Sequence, residues 1–179
     1  MTSYARLDPY VFALTVLALA CGPDSSESTS DTGGPLPAAC ECVEGDPCSQ
    51  PLCDTVDLAD RYISDNDINP AFDAALNCAL EALRDRKVGR LRWTNDLGES
   101  DEYQIYESLG DGTARRTTGG QIDLCRWNTE EVILGTLAAP TVFSACLAEA
   151  DVEKRFNCLR DAVTEETTVC AEGDYECSF

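Results

Sequence analysis

Eleven cysteines and not one histidine occur in 179 residues, and this cysteine set constrains the fold more than any other feature. Cys40, Cys42, Cys48 and Cys53 form one cluster. Cys78, Cys125, Cys146 and Cys158 are spread through the middle, and Cys170 and Cys177 close the series. These ten form an even set that can pair completely, whereas Cys21 is left over. Five bridges allow roughly a thousand pairings, so spacing alone leaves the connectivity open. Cys40 and Cys42 are too close in sequence to bridge each other. The first cluster, C-x-C-x5-C-x4-C, fits no familiar zinc spacing and has no histidine to complete it. Disulfides are therefore expected at all ten positions, with no metal and no cofactor.

The first twenty residues explain where such bridges would form. Arg6 and the amino terminus supply positive charge, and an apolar run from Tyr10 to Ala20 succeeds them, broken only by Thr15. A bilayer crossing needs about 20 apolar residues, so this shorter run predicts a secretory signal core. Asp8 is out of pattern for the positive flank. Ala18-Leu19-Ala20-Cys21 resembles the lipobox of bacterial lipoproteins. The resemblance implies that residues 1–20 are a signal peptide and that Cys21 is the acylated, palmitate-bearing first residue of an anchored protein. Ala18-x-Ala20 also satisfies ordinary signal peptidase, which would leave Cys21 a free thiol. The resemblance covers residues 1 to about 37 and concerns targeting alone. It implies a lipid bilayer as partner and the bacterial envelope as location. Gly22 after Cys21 is compatible with the outer membrane, with the domain facing the periplasm or the cell surface.

Residues 21–39 contain Ser, Thr, Gly, Pro and the acids Asp24, Glu27 and Asp31, with almost nothing apolar. Such a stretch cannot offset its ordering entropy by burial and is expected to be a disordered tether. As a flexible coil it would reach about 20–25 Å. Beyond the inner membrane the compartment is oxidising, which agrees with paired cysteines.

Charge excludes further partners. The chain has 33 acids against 13 bases, a formal charge of −20. Nucleic acid is disfavoured because phosphate neutralisation requires clustered Lys and Arg. Polybasic docking on anionic lipid is disfavoured likewise. The exception to the acidity is residues 84–127, where eight acids meet eight bases.

Catalytic chemistry is restricted too. Without histidine there is no Ser-His-Asp or Cys-His site, and no phosphate loop, dinucleotide fingerprint or G-x-S-x-G elbow occurs. Lys87 and Lys154 fall at helix positions expected to be exposed. A pair of carboxylates remains as enzymatic machinery, but among so many acids no pair stands out.

Residues 40–179 are expected to be one disulfide-stabilised α+β domain, opened by a cysteine-knit cap over residues 40–53 and a short helix from Thr55 to Ile63. Asp65, Asp67 and Asn69 alternate as in a calcium loop, yet Pro70 and Leu76 occupy the places of the required Gly and Glu. Asn69 instead caps a helix with Pro70 at its first position. That helix is predicted over Pro70–Arg86, with Phe72, Leu76, Ala79, Leu80 and Leu83 on one face, Cys78 on the flank, and Gly89 as its stop. From Arg90 the period becomes two. Arg90–Asn95, Glu102–Leu109, Thr113–Thr118 and Gln121–Trp127 predict a four-stranded antiparallel meander, with Asp111-Gly112 and Gly119-Gly120 as hairpin turns. Leu91, Trp93, Tyr103, Ile105, Leu109, Ile122 and Leu124 would face the helix. Arg90, Arg92, Tyr106, Arg116, Cys125 and Trp127 would lie on the other side.

Glu131–Leu137 reads as a fifth strand or a loop. Pro140–Glu149 and Val152–Val163 predict a helical hairpin, capped by Asp151 and stapled by Cys146 and Cys158. Cys170 and Cys177 suggest a local loop. On the outer side of the meander, Arg90, Arg92, Tyr106, Arg116 and Trp127 form a candidate binding surface for a protein or glycan, unless the helical hairpin simply covers Trp127.

The functional expectation is a non-catalytic binding or structural envelope lipoprotein. Its alternatives are an extracytoplasmic enzyme using a carboxylate pair and a disulfide-rich inhibitor or scavenger of another exported protein.

Overall fold

A computed structural model describes residues 40–64, 67–96 and 100–178. The expected signal segment, Cys21 and the expected acidic tether lie outside the described residues, as do Asp65 and Asn66 of the calcium-like run. Among the described residues no helix is long and apolar enough to cross a membrane.

The expected α+β class is observed, with helices packed on one face of a mostly antiparallel sheet. After a short 3-10 turn at Pro47–Ser49, the chain forms β1 (Val56–Asp57), a second such turn at Leu58–Asp60, β2 (Tyr62–Ser64) and β3 (Asp67–Ile68). The helix expected over Thr55–Ile63 is therefore absent. Val56 is instead wholly buried in a strand parallel to the next one, and Asp57 caps the adjoining turn by accepting from the Ala59 N–H.

Helix α1 (Pro70–Arg84) begins as predicted, with the Asn69 side chain accepting from the Ala71 N–H at 3.0 Å. Its apolar stripe, Phe72, Leu76, Ala79, Leu80 and Leu83, is buried throughout. The helix ends at Asp85, before Arg86 enters positive φ. Gly89 opens the next strand rather than stopping the helix, and Leu52 packs where its side chain would be.

Strands β4 (Gly89–Asp96), β5 (Asp101–Ser108) and β6 (Thr113–Gly119) are antiparallel neighbours. The expected fourth strand, Gln121–Trp127, is not the next one in the sheet. It is divided into β7 (Gln121–Ile122) and β8 (Cys125–Thr129), and the place beside β6 belongs to β9 (Glu131–Leu137). Gly119-Gly120 is a corner between two sheets, not a hairpin. Gly120 has φ +97°, and a Cβ there would lie 2.3 Å from the Asp101 carbonyl oxygen. The reversal falls at Asp123, itself at φ 52° between β7 and β8.

Helices α2 (Pro140–Leu147) and α3 (Val152–Arg160) form the expected hairpin, with the Asp151 carboxylate accepting from the N–H groups of Glu153 and Lys154. The second helix stops short of Val163. Its β-branched continuation, Val163-Thr164 onward, becomes β10 (Val163–Ala171) and pairs with β9 through three register shifts. Last comes β11 (Asp174–Cys177), paired with β8. The main sheet thus runs β1-β4-β5-β6-β9-β10, and a small one runs β11-β8-β7.

The core lies between the main sheet and the three helices. Trp93 meets Phe156 edge to face at 5.3 Å, and Leu91, Leu137, Phe143 and Leu159 join the α1 stripe. Side chains of this size, fully buried, each contribute about 1.5–3 kcal/mol of transfer free energy.

All ten described cysteines are bridged, as Cys40–Cys170, Cys42–Cys48, Cys53–Cys78, Cys125–Cys177 and Cys146–Cys158. The helix-to-helix staple between Cys146 and Cys158 is as expected. The local Cys170–Cys177 loop is not: Cys170 reaches back 130 residues and Cys177 pairs across the small sheet. The opening segment is likewise no self-contained knot, since only Cys42–Cys48 closes within it.

Candidate functional site

Register decides which side chains share a face. Leu91 stands opposite Tyr106, and Tyr106 opposite Arg116, so all three lie on the helix side of the sheet. This corrects the expected parity of β5 by one residue. Both parities of Tyr103-Gln104-Ile105-Tyr106 carry an aromatic, so alternation could not choose between them. Packing chooses: Tyr106 is wholly buried and its hydroxyl donates to the Arg160 carbonyl oxygen at 2.5 Å. Burial pushes that hydroxyl far above its ordinary pKa. Tyr106 is a core residue, not part of a surface.

Arg116 also leaves the proposed surface. Its Nη2 reaches Glu131 at 3.3 Å and Glu166 at 3.0 Å, and its Nε is buried with no hydrogen-bond partner among the described residues. Trp127 sits in the small sheet, its ring 4.7 Å from that of Tyr175, with Gly173 close against its benzo edge. Five residues expected on one surface therefore fall in three places.

Arg90 and Arg92 remain together on the outer face. Arg92 lies 5.1 Å over the Tyr103 ring. The Tyr103 hydroxyl donates to Glu130, and burial first, then that carboxylate, push its pKa up to about 12. Arg90 is tied through its backbone to the opening segment: its N–H donates to the Gln50 carbonyl at 2.7 Å, and its own carbonyl accepts from Leu52 at 2.9 Å.

Above Arg90 this segment encloses a polar cleft of about 410 Å³. One wall is the sheet, through Arg90 and Glu107. The other is the Cys42–Cys48 loop, through Glu44 and Gly45, with Ser49 and Gln50 just beyond it. The loop is held by its bridge and by the Ser49 hydroxyl, which donates to the Asp46 carbonyl at 2.8 Å and accepts from the Gly45 N–H at 3.1 Å. Glu107 is only 5% exposed, and its carboxylate is bound by the Arg115 guanidinium.

The chain matches no protein-family model, no curated protein and no solved structure.

Its chemistry therefore rests on its own geometry. A second cleft, about 430 Å³ between Pro51–Asp54 and Ala74–Cys78, has few polar side chains converging on it. Among the described residues no three His, Cys, Asp or Glu side chains gather to hold a metal. The polar cleft is the one that combines charged groups of both signs with a buried carboxylate. Sequence reasoning picked out Arg90 but missed Glu107, Arg115 and the loop. The available signal was an acid in mid-strand, Glu107, succeeded by paired arginines in the next strand.

Proposed function

We propose that this chain is an exported lipoprotein, held at a bacterial membrane by acylated Cys21, with residues 40–179 serving as a non-catalytic binding module of the envelope. The outer membrane is the proposed location, with Gly22 next to the anchor. One observation carries the reading: five bridges use all ten cysteines from Cys40 to Cys177, so the eleventh is the one that ends the apolar run after Ala18-Leu19-Ala20. Five bridges in one small domain also suit an oxidising compartment. A non-catalytic role is favoured because the buried acid of the polar cleft is committed to Arg115. Metabolic labelling with a fatty acid tests the anchor. Wild-type protein is expected to incorporate label and partition with membranes, and Cys21→Ser is expected to do neither. Equal labelling of both, or of neither, would overturn the anchor.

A further inference from the structure

Arg90 and Glu107 are direct cross-strand partners on β4 and β5, and Arg115 faces Glu107 from β6. One carboxylate thus stands between two guanidinium groups. Arg115 takes it, and its Nη1 donates onward to the Cys40 carbonyl at 3.1 Å, which fixes that choice. Arg90 is the surplus cation. It is exposed, and among the described residues its guanidinium makes no ion pair or hydrogen bond. Among the described residues Arg86, Lys87, Arg92 and Arg126 likewise form no ion pair, so what sets Arg90 apart is its place in the cleft. Arg61, Arg84, Arg116, Arg155 and Arg160 each reach a carboxylate.

The same cleft presents the opposite charge on its other side. Glu44 projects from the disulfide-closed loop, and Glu107 has one oxygen not held by Arg115. Ser49 and Gln50 add neutral polar groups, and no aromatic ring lines the space. A volume of about 410 Å³ is in the range of small-molecule sites.

We infer that this cleft binds a small zwitterion, a free α-amino acid with a polar side chain. Its carboxylate lies on the planar fork of Arg90, which matches carboxylate geometry. Its ammonium group lies between Glu44 and the free edge of Glu107. An anion alone would meet Glu44, and a cation alone would meet Arg90, so only a molecule carrying both charges satisfies the site. This names the ligand of the binding module proposed above and rests on that reading.

Equilibrium dialysis of the purified, oxidised full chain against a mixture of the common amino acids, with amino-acid analysis of the retained fraction, tests the inference. Polar amino acids are expected to be retained and to be displaced by neither acetate nor methylamine at equal concentration. Arg90→Gln and Glu44→Gln should each weaken retention by about tenfold. Both side chains are exposed, so the thermal melt of each variant should match wild type. No retention by wild type, equal displacement by acetate or methylamine, or undiminished retention by Arg90→Gln would overturn it. A retained amino acid returned chemically altered would keep the site and overturn the non-catalytic reading. Labelling of Cys21 is measured separately, so failure of the anchor is distinguishable from failure of the site.

Discussion

Arg155 on α3 reaches Asp73 on α1 at 2.6 Å, with the arginine side chain 10% exposed and the aspartate 37%. The pair ties the helical hairpin to the first helix, and Arg155 also donates to Asn77 at 2.8 Å. Its two partners differ in access to water, and that difference makes their removal unequal. Asp73→Ala strands a buried cation and should cost about 2–3 kcal/mol. Arg155→Met leaves an acid that water can reach and fills the space with apolar atoms, so its cost should stay below about 1 kcal/mol. Urea denaturation of both variants gives the ordering; equal costs would mean that Arg155 is hydrated when unpaired.

The bridges should differ in value according to the loop that each closes. Cys40–Cys170 spans 130 residues and Cys146–Cys158 spans 12. Both include well-buried cysteines, so the packing lost on replacement by alanine pairs is similar. Chain entropy then predicts that removing the long bridge costs about 2 kcal/mol more than removing the short one. Denaturant midpoints of the two double variants check this.

Gly120→Ala should destabilise by about 3 kcal/mol, because φ +97° strains any L side chain and the new methyl group would press on the Asp101 backbone. The loss is expected to appear first in the small sheet, which the Trp127 N–H anchors to the Gly120 carbonyl at 2.8 Å. Native-state hydrogen exchange at β7 and β8 reports it, and faster exchange confined to the helices would contradict it.

Alkaline pH should weaken the fold through Tyr103. Its pKa rises from 10.0 to about 12 on folding, so the unfolded chain releases the proton first. Stability from this group is fully present below pH 10 and is lost as pH rises toward 12. Tyr103→Phe should show a shallower fall in stability across that window, measured as unfolding midpoints against pH. The same fall in both proteins would place the alkaline sensitivity elsewhere.

Some local signals along the chain were sound guides, although the short helix over Thr55–Ile63 and the local Cys170–Cys177 loop were not. The Asn69 and Asp151 caps, the α1 stripe and the Cys146–Cys158 staple all depend on residues a few positions apart, where spacing maps directly onto geometry. Readings that spanned elements were less secure. Glycine at 119 and 120 permitted a tight hairpin, but the nearby Asp101 backbone made it a corner. The segment after α3 carried β-branched residues, yet its sheet position required β9 as a neighbour. Of the candidate surface, Arg90 was legible as a cation on a strand, whereas its role depended on Glu107 and Arg115, which come from two other strands.

By itself, the sequence determined an even set of ten cysteines, a leftover Cys21 behind an apolar run, an acidic composition without histidine, and three helices, two of them with their caps at Asn69 and Asp151. These stem from composition and short-range spacing. Only the tertiary structure decided which cysteines met, that Tyr106 turned inward, and that Arg115 rather than Arg90 took Glu107. Those outcomes rest on strand register, where a shift of one residue moves every side chain to the opposite face. No local pattern in β5 favoured one register. Burial of Tyr106 against the helices did, and it left Arg90 facing the cleft with no ion pair among the described residues.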